Sequence, residues 1–191
     1  MIHVVNQIPV CWDGNGRQLK RDRIRHLILH RCSLSQFVEE ANPFPIDDSL
    51  LDGPGLASRF KNRKLGTGGR VPYQIIIGRS GRVEQLLPLS IQGAHARIHN
   101  PTSIGVAVIG RTDRHEATEV QYDSLVEVCR LFLAVPGIDL AAHDALAGAS
   151  GDPNKSCPGK YLPLGPLRAM ALRGVCMEDP WLAIQRAGFI W

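Results

Sequence analysis

The chain has 191 residues, 44% of them hydrophobic, which is enough for one globular domain with a sizeable core. No apolar run approaches the length of a membrane span, and an odd count of five cysteines does not indicate a disulfide framework. The formal net charge of +4 favours an anionic partner, although we interpret the basic runs Arg17–Arg25 and Arg59–Arg70 as solvated faces.

The first part of the chain predicts two strands. The opening residues lack a basic region followed by an apolar one, so we expect no secretory signal and synthesis in the cytoplasm. A short strand is predicted over Ile2–Val5, and a second over Arg23–His30, where alternation gives way to an apolar run. Four residues of a strand span about 13 Å, so His26 and His30 cannot bind one metal ion together. We therefore expect His30 to be the available ligand and His26 to be structural or exposed.

The middle of the chain predicts a helix and a hairpin. Residues 33–46 are predicted as a loop, and a helix is predicted to open at Asp52 and to end near Gly66. Strands are predicted over Val71–Gly78 and Val83–Leu87, joined by a tight turn. The continuous β-branched run Ser103–Gly110 predicts a central strand that is buried on both faces.

The clearest helix is predicted over Thr118–Val135. Thr118 and Gln121 have the spacing of a capping box, in which each side chain bonds the other residue's backbone. Apolar residues with a period of 3.6 predict the core face of this helix: Tyr122, Leu125, Val126, Cys129, Phe132 and Leu133.

The last part of the chain predicts one strand and two helices. The strand Ile138–Ala142 leads directly to His143. A helix is predicted near Leu164–Arg173, and a short one from Pro180, with Asp179 as its N-cap and Gly188 as its C-cap.

The segment Ala141–Pro158 contains the most informative combination of side chains. It holds His143, Lys155 and Cys157 in a loop rich in Gly, Ala, Asp and Pro. A histidine and a cysteine held by such a loop can supply two ligands of Zn²⁺, and the best third candidate is His30. Neither Cys-x-x-Cys nor His-Glu-x-x-His is present, so this prediction depends on several moderate signals that agree.

Four segments, in this order, resemble the zinc-dependent N-acetylmuramoyl-L-alanine amidases of the type 2, peptidoglycan-recognition-protein fold, and especially the phage lysozyme-type endolysins. They read LILHRCS, VPYQIIIGRSGRVEQ, GAHARIHNPTSIGVAVIG and AAHD…NKSCPG, and they lie within residues 27–159. The resemblance implies a single α/β domain over residues 1–191, with a mixed central sheet flanked by helices and a zinc site at one sheet edge. Residues 164–191 are not matched. The implied reaction is hydrolysis of the amide bond between N-acetylmuramic acid and L-alanine in peptidoglycan.

The resemblance also implies site residues. It places Zn²⁺ on His30, His143 and Cys157, a ligand set that leaves a fourth position for water, whose pKa falls to about 7. It implies Tyr73 and Lys155 as the catalytic pair beside the metal. Residues two apart in an extended segment point to the same side, so Lys155 would lie near the metal and stabilise the oxyanion. Tyr73 would orient the attacking water or pass a proton.

Three further residues match the family less specifically. His95 matches a histidine of the family's substrate groove and is therefore a candidate substrate-binding residue. Asn100 and Ser103 match a motif that we interpret as mainly structural.

One departure separates this chain from relatives that recycle soluble muropeptides. Those relatives carry a glutamate in the strand corresponding to Gly105–Gly110, and an aspartate as third ligand. This chain has only apolar residues in that strand, and Cys157 as the third ligand. The difference favours the endolysin-like branch and makes Tyr73 and Lys155 more necessary.

Three alternatives to a lytic amidase stay open. They are a non-catalytic peptidoglycan-binding module, a cytoplasmic muropeptide-recycling amidase, and a regulatory protein with a structural zinc. The full ligand set argues against the first and the missing glutamate against the second, while nothing in the sequence tests the third. We expect peptidoglycan as the partner, no nucleic acid, no insertion into a membrane, and action on the cell wall after release or delivery.

Overall fold

The structure is a computed structural model that describes residues 4–6, 17–32, 72–147 and 156–191. Its strands are Val4–Asn6 (β1), His26–Cys32 (β2), Ile75–Ile77 (β3), Val83–Gln85 (β4), Ser103–Ile109 (β5) and Asp139–Ala142 (β6). They form one mixed sheet in the order β1-β4-β3-β5-β2-β6, in which only the β3–β4 pair is antiparallel. The predicted α/β class with a mixed central sheet is confirmed.

The described helices lie in the second half of the chain. They are Glu119–Leu133 (α1), His143–Ala147 (α2), Leu164–Ala171 (α3) and Pro180–Arg186 (α4). Short 3₁₀ turns span Arg21–Arg23 and Arg97–Thr102. No helix of the described residues is long and apolar enough to cross a membrane. The helix predicted from Asp52 to Gly66 lies outside the described residues.

The two faces of the sheet have different roles. Side chains alternate between the faces along each strand, so neighbours on one strand serve different faces. One face packs against α1, α3 and α4 in a single apolar core that includes Leu27, Leu29, Ile104, Val106 and Val108. The opposite face carries His30 of β2, beside Ala107 in the register with β5. The candidate site therefore lies on the face that these three helices do not cover.

Strand β5 is the centre of the sheet, as its sequence predicts. It lies between β3 and β2, and all of its residues are buried. β2 begins at His26, three residues later than predicted, because Arg21–Arg23 forms a 3₁₀ turn instead. The prediction that His30 lies on a strand is confirmed.

Helix α1 begins as predicted, but its capping box is only half formed. The Thr118 side chain accepts a hydrogen bond from Gln121 N at 3.2 Å. The Gln121 side chain does not return this bond. Its amide nitrogen donates instead to the carbonyls of Ile77 and Ile109, each at 3.0 Å. These carbonyls end β3 and β5, and a buried amide is needed there to satisfy them.

The C-terminal segment belongs to the core. Asp179 caps α4 by accepting a hydrogen bond from Leu182 N at 3.0 Å, as predicted. Phe189 is 3% exposed, and its ring lies 5.6 Å from that of Phe132 on α1. The tail therefore completes the helical layer that covers the sheet.

Candidate metal centre

The register between β2 and β6 brings two histidines together. The strands are parallel, with Leu29 opposite Ala142, and the next residue of each chain segment is His30 or His143. The two rings lie with their centroids 4.6 Å apart. Since β6 is an edge strand, this pair lies at one edge of the sheet, where the resemblance places the site.

Cys157 completes a group of three candidate ligands. Its Sγ lies 3.8 Å from His30 Nδ1, and the ligand atoms of His30, His143 and Cys157 all lie within 4.8 Å of one another. Zinc–sulfur bonds of about 2.3 Å and zinc–nitrogen bonds of about 2.0 Å place tetrahedral ligand atoms roughly 3.6 Å apart. The donor set and its spacing fit a Zn²⁺ ion. His26 lies outside this group, with its ring 5.9 Å from that of His99.

Backbone contacts hold the Cys157 segment in place. Asp144 N donates to Cys157 O at 3.1 Å, and the Asp144 carboxylate accepts a hydrogen bond from Cys157 N. Arg31 N donates to Cys157 Sγ at 3.4 Å. On the far side, the Thr112 hydroxyl donates to the carbonyl of Pro158. The thiol is therefore positioned by contacts from three separate parts of the chain.

Burial favours the uncharged forms of the candidate ligands in the metal-free protein. Desolvation, followed by the neighbouring His95 and His143, lowers the pKa of His30 well below its ordinary value. Burial also lowers the pKa of His143 and raises the pKa of the Cys157 thiol to about 11. Neutral imidazoles are ready to bind a metal, whereas the thiol must first lose its proton.

Tyr73 is the predicted catalytic residue that the structure brings to this group. It is half-buried, and its ring centroid lies 5.0 Å from that of His30. Lys155 lies outside the described residues, so its predicted role stays a prediction.

His95 lies behind His30. Its Nδ1 is 3.0 Å from His30 Nε2, and the residue is only 9% exposed. Burial lowers its pKa to about 3. Its predicted role in substrate binding stays a prediction, but most of the ring is covered by protein.

The residues that sequence reasoning missed are those that hold the candidate ligands. Asp144 gave one signal, since it is a carboxylate directly after His143. Thr112 gave none, because its contact with Pro158 joins residues 46 positions apart. The predicted structural role of Asn100 is confirmed, as its Oδ1 accepts hydrogen bonds from the backbone of His95 and Ala96 at 3.1 and 2.7 Å.

Known proteins share this fold. A peptidoglycan-recognition protein of Drosophila simulans is 29% identical over 94 residues, which are 48% of this chain and 50% of that protein. The chain thus spans about half the length of this curated relative. The solved N-acetylmuramoyl-L-alanine amidase LysC from Clostridium intestinale has a TM-score of 0.64 at 18% identity, over 88% of this chain and 97% of that chain.

A second solved structure, the Ph2119 endolysin from a Thermus scotoductus bacteriophage, has a TM-score of 0.58 at 19% identity, over 88% of this chain and 99% of that chain. At these identities, the two solved structures establish the fold alone. The profile of the N-acetylmuramoyl-L-alanine amidase family matches residues 20–160. Because this match covers more than half of the chain, the protein belongs to the N-acetylmuramoyl-L-alanine amidase family.

Proposed function

We propose that the protein is a zinc-dependent amidase that hydrolyses the bond between N-acetylmuramic acid and L-alanine in peptidoglycan. The observation that carries this proposal is the convergence of His30, His143 and Cys157, with ligand atoms within 4.8 Å of one another, in a chain of this family.

The three candidate ligands would hold Zn²⁺ and leave one position open. When bound, the ion would act as a Lewis acid toward the scissile carbonyl and would lower the pKa of a water molecule. Cys157 would bind as a thiolate, and the Arg31 backbone N–H at 3.4 Å would stabilise that negative charge.

Tyr73 and Lys155 would serve the chemistry beside the metal. The Tyr73 ring already lies against His30, with centroids 5.0 Å apart, which suits a hydroxyl that orients the attacking water or passes a proton. Lys155 precedes Cys157 by two residues, and its ammonium would stabilise the negative charge that develops on the carbonyl oxygen.

The residues of β5 support a lytic rather than a recycling role. Ala107 lies beside His30 in the sheet register, and Gly105 lies two residues earlier on the same face. Neither can supply a carboxylate base, so the chemistry would depend on Tyr73 and Lys155. We therefore propose intact peptidoglycan as the substrate, with action at the cell wall.

A peptidoglycan-binding module without catalysis is the second candidate, favoured by the similarity to a peptidoglycan-recognition protein. The presence of all three candidate ligands argues for catalysis.

Zinc content and activity test the proposal together. We expect about one zinc per chain, release of new L-alanine amino termini from purified sacculi, loss of activity on chelation and recovery with added zinc. His30→Ala should lose zinc and activity, whereas the matched control His26→Ala, on the same strand, should keep both. Zinc-free protein that still cleaves sacculi would disprove the metal site. Zinc-loaded protein that binds sacculi without cleavage would identify the binding module.

Two further experiments test which substrate the protein hydrolyses and where it acts. Rapid hydrolysis of soluble anhydro-muropeptides with no attack on sacculi would indicate the recycling role instead. Expression in the bacterial cytoplasm should leave cells intact, because the proposed substrate lies beyond the membrane, and co-expression with a membrane-permeabilising protein should lyse them.

A further inference from the structure

A chain of hydrogen bonds leads away from the candidate metal centre behind His30. His30 Nε2 lies 3.0 Å from His95 Nδ1, and His95 Nε2 lies 3.4 Å from Ser103 Oγ. The Ser103 hydroxyl donates to the backbone carbonyl of His99 at 2.7 Å. His30, His95 and Ser103 are all buried, with exposed fractions of 2%, 9% and 0%. The chain thus runs through the interior and ends on a carbonyl oxygen.

The carbonyl at the end fixes the direction of every bond in the chain. A carbonyl oxygen only accepts, so the Ser103 hydroxyl uses its single proton there. Ser103 Oγ can then only accept from His95, which places the His95 proton on Nε2. A neutral imidazole protonated on Nε2 accepts at Nδ1. His30 must therefore donate from its own Nε2.

This direction leaves His30 Nδ1 with a free lone pair, facing Cys157 Sγ at 3.8 Å. We propose that His95 and Ser103 are positioning residues that hold His30 in the tautomer whose Nδ1 can bind a metal ion. The inference rests on the proposed zinc site. If the hydrogen bonds ran in the opposite direction, His30 would carry its proton on Nδ1, and that atom could not bind a metal ion.

The surrounding backbone is shaped to hold the His95 ring against His30. A Cβ added at Gly105 would lie 2.8 Å from His95 Cγ, and one added at Gly93 would lie 2.9 Å from His95 Cδ2. Both distances are too short for a side chain, so these glycines leave the space that the ring fills. Asn100 Oδ1 also accepts a hydrogen bond from His95 N at 3.1 Å, which fixes the backbone of His95. The ring is held for contact with His30, and little of it remains exposed.

The expected size of the effect follows from the behaviour of partners that orient histidine ligands. Removing such a partner typically lowers metal affinity or activity by about 10- to 100-fold. Because the proposed role acts through His30, its loss should reduce zinc affinity and kcat and leave KM nearly unchanged. A substrate contact by His95, which the family resemblance predicts, would raise KM instead when the residue is removed.

The tautomer can be measured directly in the metal-free wild-type protein. Nitrogen-15 NMR of labelled histidines distinguishes a protonated ring nitrogen from one with a lone pair. We expect His30 and His95 to be protonated on Nε2 and unprotonated on Nδ1. Protonation of His30 on Nδ1 would overturn the inference, and it would do so whether or not the protein is an amidase.

Variants then test the consequence for metal binding. Ser103→Ala should weaken zinc binding about 10-fold and mix the His30 tautomers. The matched control is Thr102→Ala. The Thr102 hydroxyl also donates to the His99 carbonyl, at 3.2 Å, but it makes no contact in the hydrogen-bond chain from His30 to Ser103. This control should match wild type in both measurements.

Two substitutions at His95 distinguish loss of the hydrogen bond that orients His30 from disruption of the site as a whole. His95→Ala should lose zinc affinity, and His95→Asn, whose side-chain oxygen can accept near the position of Nδ1, should recover part of it. Unchanged zinc affinity in His95→Ala with an increased KM would overturn the inference in favour of a substrate contact. Absence of zinc in wild type would instead disprove the proposed function, while the tautomer measurement would still decide the direction of the chain.

Discussion

Asp144 and Cys157 are joined by two hydrogen bonds. Asp144 N donates to Cys157 O at 3.1 Å, and the Asp144 carboxylate accepts from Cys157 N. Asp144 directly follows the candidate ligand His143, so one short segment supplies a ligand and also holds the backbone of another. This clamp positions the thiol relative to the two imidazoles, and the Asp144 carboxylate also lies 3.7 Å from His143 Nδ1.

We predict that Asp144→Ala weakens zinc binding by about 10-fold or more, because the Cys157 N–H loses its acceptor and the thiol is held less firmly. Asp144→Asn keeps an acceptor oxygen and should lose less. Competition with a chromophoric chelator measures both affinities. Asp123→Ala, an exposed carboxylate on α1, is the control and should bind zinc like wild type. Equal affinity of Asp144→Ala and this control would show that the clamp is dispensable.

Tyr73→Phe and Lys155→Ala should keep zinc and the fold but lose turnover. One stabilising donor to an oxyanion is typically worth about 10²–10³ in kcat, and a positioned proton-transfer group about 10²–10⁴. Zinc content, thermal unfolding and sacculus hydrolysis, measured on the same preparations, separate these effects. Wild-type rates in both variants would mean that other residues perform the chemistry.

The sequence predicted the sheet and the candidate ligands because their signals are local or shared with a family. Strand β5 could be predicted because a strand buried on both faces needs a continuous apolar run. His30 could be predicted as the ligand because the strand assignment excluded a metal site shared with His26. The register that brings His30 beside His143 is a long-range property, so the residues alone made His30 a candidate third ligand and the family resemblance made it the expected one.

The supporting contacts were not predictable, since each depends on a partner distant in sequence. Gln121 has the spacing of a capping box, yet its side chain bonds Ile77 and Ile109 because the helix packs on the sheet ends. The contact between His95 and His30 joins residues 65 positions apart and needs the space left by Gly105. Local patterns do not encode either arrangement.

The C-terminal segment should contribute to stability rather than to metal binding. Phe189→Ala should destabilise the protein by about 3–5 kcal/mol, as is typical for a large aromatic side chain removed from a core. Ile190→Ala, at the next residue, is the matched control. The Ile190 side chain is 45% exposed, so its removal should lower the free energy of unfolding far less. Urea unfolding gives the two stabilities, and a zinc titration should show wild-type affinity for both. A large loss of zinc affinity in Phe189→Ala would show that the tail also shapes the site.

The metal-free protein should lose stability as the pH falls below about 6.5. Burial lowers the pKa of His95 from 6.5 to about 3, so the folded state keeps this ring neutral while the unfolded state takes up a proton. Between these two values the unfolded state binds more protons, and the free energy of unfolding therefore decreases as the pH falls, by about 1.4 kcal/mol per pH unit for one histidine.

The variant His95→Asn tests this prediction because it lacks the titrating ring. Its free energy of unfolding should fall less steeply than that of wild type between pH 6 and pH 4, by roughly that slope. Urea unfolding of both proteins, at several pH values and with a chelator present, gives the comparison. Between pH 7 and pH 8 the difference in stability should be independent of pH, because this ring is then neutral in both states. Parallel curves over the whole range would show that His95 titrates alike in the folded and unfolded protein.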